Sequence, residues 1–159
     1  MDAERLRAFL LTLPHVVETM QWGENLVFWT GDKAIGGKMF ALINLDEPHQ
    51  MGGRDSETWA RAKPHLLISY SAGPTRYSEL VETEGIVPAP YMARIHWVAV
   101  ERWDVFTAAE WHRELGAAYD LTVAKLPKKV LATLALPAAK QKTLIAARRK
   151  LLAAKASKS

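Results

Sequence analysis

No cysteine occurs among the 159 residues, which excludes disulfides and thiolate metal sites and is compatible with the cytoplasm. Long hydrophobic runs are also missing: nothing approaches the ~20 apolar residues of a membrane span. The opening MDAERLRAFLLTLPH interleaves acids and bases with leucines, where a secretory signal needs a basic start and an unbroken apolar core. The expectation is a cytoplasmic protein that does not enter a membrane. The five histidines (positions 15, 49, 65, 96 and 112) form neither an HxxxH nor an HExxH pair, so no metal or other cofactor is expected. There is no GxSxG elbow to expose a serine nucleophile. The most informative absence is of acids: after Asp120 not one Asp or Glu follows through Ser159.

What is present suits a globular chain, 49% apolar and 24% charged. The length fits one domain, residues 1–130, followed by a basic Ala- and Lys-rich helical extension, residues 131–159. The net charge of +4 hides a division. Through Asp120 there are 11 Lys and Arg against 17 Asp and Glu, a balance of −6, whereas the last 39 residues hold 10 bases and no acid. Cations clustered without acids are what phosphate neutralisation requires, although a solvated helix that only keeps the protein soluble has the same composition. Docking of the tail on the acidic body, or on a partner protein, is a further alternative.

Spacing of apolar residues predicts a helix from Asp2, as N-cap, to about Leu13, with Leu6, Phe9, Leu10 and Leu13 on one face and Pro14 closing it. Short branched and aromatic segments near 16–22, 26–30 and 38–45 read as an antiparallel meander. The polar piece DEPHQMGGRDSETWARAKP reads as an exposed connection with a short helix around 56–62, and HLLISYS as a fourth strand. TRYSELVETEG suits a helix ending at Gly85, and residues 94–100 a further strand. Thr107 with Glu110 forms a capping box ahead of a helix facing inward with Trp111, Leu115, Ala118 and Tyr119. From Pro137 onward good helix formers follow, with Leu144, Ile145, Leu151 and Leu152 in one sector that Arg148 also enters. Such an order implies an α+β two-layer sandwich, an antiparallel sheet packed under helices.

Candidate chemistry is sparse. GDKAIGGKMF departs from a phosphate-binding loop, because a second glycine intervenes and Met39 follows Lys38; a turn using glycine dihedrals is the better reading. His96 as a general base, or Glu82 with Glu84 as a carboxylate pair, lacks convergent partners, so a strand-edge histidine and a solvated acidic face are preferred. Of six tryptophans, Trp22, Trp29, Trp103 and Trp111 read as core, and Trp59 as exposed. Alternation along a strand sends Ile95, Trp97 and Ala99 to one face and Arg94, His96 and Val98 to the other, leaving Arg94 and His96 outside.

Three segments in order, GKMFAL (37–42), PYMARIHWVAV (90–100) and YDLTVAKLPKK (119–129), together with LPHVVE near the start, resemble the MmcQ/YjbR family of small bacterial proteins. The likeness covers about residues 1–130; the connection 46–64 and the tail look like additions, and Ala93 and Arg94 stand where many members carry asparagine and lysine. The resemblance implies a two-layer fold like that of secretion-chaperone domains and a DNA-binding role without catalysis. It points to Arg94, His96, Lys125, Lys128 and Lys129, with Lys38 as a weaker member. The charge argument adds Arg148, Arg149 and Lys150. The expectation is a non-enzymatic protein that contacts DNA phosphates. The alternative is a protein-interaction or chaperone-like module, binding a partner chain or a second copy of itself.

Overall fold

The computed structural model describes residues 1–46 and 65–158; the expected helix at 56–62, Trp59 and His49 lie outside them. Asp2 caps helix α1 (Ala3–Leu10), its carboxylate accepting the Arg5 backbone N–H at 2.8 Å. The helix stops three residues short of Leu13, because the N–H groups of Thr12 and Leu13 turn to carbonyls three residues back, Phe9 and Leu10, tightening the chain ahead of Pro14. Strands β1 (Val16–Gln21), β2 (Asn25–Thr30) and β3 (Lys38–Asn44) then form the expected meander. A fourth strand, β4 (Ile68–Ser71), pairs with β3.

Helix α2 (Gly73–Leu80) is shorter than the expected 75–85. Beyond it Glu82 and Thr83 bond three residues back, and Gly85, at φ +89°, swings the chain into β5 (Ile86–Pro88), a three-residue strand that its own Pro88 and the following Pro90 conceal in the sequence. β6 (Trp97–Val100) begins later than Arg94, because Ala93–Ile95 form one 3₁₀ turn closed by His96 at φ +64°. Ile95 is therefore half exposed on that turn, not buried beside Trp97 and Ala99. All six strands are antiparallel, in the order β1-β2-β3-β4-β6-β5.

The capping box forms as expected: Thr107 Oγ1 accepts the Glu110 N–H at 3.2 Å, and Glu110 Oε1 accepts the Thr107 N–H at 3.0 Å. It starts α3 (Ala108–Ala124), which lies across β3 and β4. The main core gathers Leu6 and Leu10 of α1, Leu80 of α2 and Trp111, Leu115 and Ala118 of α3 over Phe28, Ile43, Ile68, Tyr70, Val98 and Val100 of the sheet. The Leu, Ile, Val and Phe side chains among them each contribute about 1.5–3 kcal/mol when fully buried. Glu114 is buried among them, accepting the Tyr70 hydroxyl at 3.1 Å and paired with the Arg76 guanidinium.

After α3, Leu126 and helix α4 (Lys128–Leu134) fold back, and Leu126, Val130 and Leu134 pack around Ile35. Helix α5 (Ala138–Lys158) is continuous and touches the β2–β3 connection. Trp29, Trp97 and Trp111 are buried, and Trp103 is half-buried against Trp111. Trp22 is not core: it sits in the turn after β1 at φ +50° and is 63% exposed, because a reversal of the hairpin there carries its side chain beyond the last paired residues, Gln21 and Asn25.

Candidate nucleic-acid interface

Strand polarity decides which charges share an end of the sheet. β2 and β4 finish at the end where β3 and β6 begin, and there Lys38 opens β3 and Arg94 precedes β6. α3 runs from Trp111, whose indole N–H donates to the Trp103 carbonyl at 3.0 Å just beyond the far end of β6, to Tyr119, whose hydroxyl donates to the Pro14 carbonyl at 2.6 Å just before β1. Its C-terminus therefore delivers Lys125, Lys128 and Lys129 to the same end as Lys38 and Arg94. Glu24, Asp46, Glu84, Glu101 and Asp104 fall on connections at the opposite end, where Arg102 pairs with Glu84 and Asp104.

The connection GDKAIGGK is built for close approach. Asp32 caps a 3₁₀ turn (Lys33–Ile35) by accepting the Ala34 N–H at 2.8 Å, and Gly36 ends the turn at φ +96°. A Cβ on Gly37 would lie 1.9 Å from the Gly31 carbonyl oxygen, so this glycine is required by backbone packing. No helix opens behind Lys38, as a phosphate-binding loop demands; β3 does. The other Asp32 oxygen accepts Arg149 at 2.5 Å, which ties α5 to the turn.

Lys38, Arg94, Lys125, Lys128, Lys129, Arg148 and Lys150 are exposed and make no ion pair among the described residues. Lys129 and Arg148 line one cleft with Ile35, Val130 and Leu144. Two of the expected residues are differently engaged. Arg149 is the partner of Asp32, and His96 is half-buried, its ring edge-on to Tyr77 at 5.5 Å while its backbone holds the turn before β6. Sequence reasoning passed over Lys33, which shares this end with its ammonium 5.7 Å above the Trp29 ring. The signal is present in GDKAIGGK, where two lysines flank the glycine turn.

Lys128 and Lys129 occupy the first turn of α4, and Lys140 that of α5, with no acid in either first turn. Cations there oppose the helix macrodipole, costing a few tenths of a kcal/mol each at about the exposed-surface rate. Stability alone would place acids in those positions.

A six-stranded antiparallel sheet under helices, with unpaired cations in excess at one end and acids in excess at the other among the described residues, defines a small two-layer α+β domain. The chain belongs to the YjbR family, whose model matches residues 11–121. No curated protein matches it. Among solved structures it is similar to the crystal structure of Deinococcus radiodurans protein DR2400, described by its DUF419 domain, at 26% identity, covering 86% of this chain and 89% of that one with a TM-score of 0.65. Lys38, Arg94 and His96 fall inside the family match; Lys125, Lys128, Lys129 and the α5 cations follow it.

Proposed function

We propose that the protein binds DNA, without catalysis, by laying the Lys38 end of its sheet and the exposed side of α4 and α5 against the phosphate backbone. The observation that carries this reading is the gathering of Lys38, Arg94, Lys125, Lys128 and Lys129 at one sheet end with no ion pair among the described residues. Unpaired cations retain the counterion-releasing capacity that affinity for a polyanion draws on. The lysines in the first turns of α4 and α5 support it further, since local rules of stability are most often broken where function requires it. Phosphate contacts fix position but read no bases, so little sequence preference is expected.

The test is fluorescence anisotropy of a labelled duplex across a salt series. It compares the full chain, a chain ending at Leu136, and K125E/K128E/K129E. Five or six phosphate contacts give a slope of log K against log salt of about −4 to −5. The triple variant should lose most of the affinity and flatten the slope. Equal affinity for all three proteins, or no slope, overturns the proposal.

A partner-binding reading is favoured by one observation: Leu151 and Leu152 on α5 are 54% and 48% exposed. If that surface serves a second copy or another chain, light scattering should show an assembly that persists at high salt, where DNA binding fails.

A further inference from the structure

The helices cover one face of the sheet; across the other runs a groove of about 590 Å³, inside the usual range of small-molecule sites, about 300–1,000 Å³. Met39, Leu42, Leu66 and Met92 make it apolar, and no charged side chain lines it among the described residues. Trp22 and Tyr91 also line it. Both are exposed, Tyr91 completely, and neither ring contacts another ring among the described residues. Each is held at positive φ, +50° and +66°, a backbone state that large side chains adopt at a cost and that accumulates where function requires it.

A second, polar observation points to a ligand. Ser69 is 95% buried by its 5% exposure, alternates onto the groove face of β4 opposite Leu42 and Ala99, and lines the groove. Its hydroxyl has no hydrogen-bond partner among the described residues, and its oxygen is not sealed off, since Gln21 Oε1 is the one fully buried side-chain oxygen or nitrogen without a partner among them. An unpaired hydroxyl that opens onto an apolar groove is free to donate to an acceptor placed there. Asn25 adds an acceptor: its amide nitrogen donates to the Trp22 carbonyl at 2.7 Å, which leaves the amide oxygen available at the rim.

We infer that this face binds a neutral, planar ring compound, stacked on Trp22 or Tyr91 and presenting a hydrogen-bond acceptor to Ser69. The absence of charge in the described lining argues against a charged ligand, whose desolvation nothing there would compensate. Free aromatic faces favour a flat ring over a flexible alkyl chain, and the unpaired Ser69 hydroxyl favours a heteroatom in that ring. None of this depends on the cationic end of the molecule.

The experiment uses the full chain and N-phenyl-1-naphthylamine, a neutral ring dye, displaced in turn by quinoline, naphthalene and decanol. Saturable binding of one dye per chain is expected, weakened about tenfold by Trp22→Ala and by Tyr91→Ala. Both residues are exposed, so thermal unfolding of these variants should match the parent. Quinoline should displace the dye about fivefold better than its carbocyclic counterpart naphthalene, and Ser69→Ala should erase that difference, as loss of one hydrogen bond does. Absence of saturable binding, displacement by decanol as good as by quinoline, or indifference to both aromatic substitutions overturns the proposal.

Discussion

At the scale of the residue, Tyr70 is a group whose acid–base chemistry burial changes. Burial, then the nearby Glu114 charge and the hydrogen bond to it, push the Tyr70 hydroxyl above its ordinary value. A phenol whose folded pKa is raised contributes stability that is intact below the unfolded value, about 10, and is lost as pH rises beyond it. Alkaline chemical unfolding should therefore show stability falling above about pH 10, and Tyr70→Phe should flatten that limb. At neutral pH the same substitution should cost about 1–2 kcal/mol by removing a buried bond to a charged acceptor. Gly37 makes a second prediction. Gly37→Ala places a methyl 1.9 Å from the Gly31 carbonyl oxygen, and denaturant titration should show a loss of about 3 kcal/mol, the upper part of the usual overpacking range.

Elements show where the sequence was legible. The capping box Thr107–Glu110 and the buried stripe of α3 could be read directly, because both are local patterns that the helix itself satisfies. β5 could not: three residues ending in Pro88 carry no period, and the strand exists because β6 offers it a free edge. Trp22 misled for the complementary reason. Its neighbours alternate as a strand should, but the φ +50° turn that ejects it is set by the hairpin register and not by its own side chain. Helix α4 gives a prediction in which two properties move oppositely. Lys128→Glu puts an acid in the first turn, so Tm should rise, by about 0.3–1 kcal/mol of added stability, while duplex affinity in low salt falls. If affinity is unchanged, Lys128 is only a solvated lysine.

On the scale of the whole molecule, the sequence displayed a basic tail but concealed the larger arrangement. A linear count sets residues 1–120 at −6, yet Lys33, Lys38 and Arg94 belong spatially with the tail, because strand direction brings them to the end where α3 finishes. The candidate site was thus half legible: its residue types showed in the charge pattern, its convergence only in the topology. Removing α5 by ending the chain at Leu136 should leave the sheet and main core folded, since the described ties of α5 run to Asp32 and the turn around it and, through Gln141, to the Leu134 and Leu136 carbonyls, none of them to the main core. Circular dichroism should then show a loss of helix with Tm nearly kept.

The sorting of charge by sheet end has a consequence before any contact forms. A body with an excess of opposite charge at its two ends experiences a torque in an electric field, so under the proposed function its cationic end would turn toward the phosphate backbone on approach. Under that proposal encounters would begin partly aligned, shortening the angular search that slows most docking.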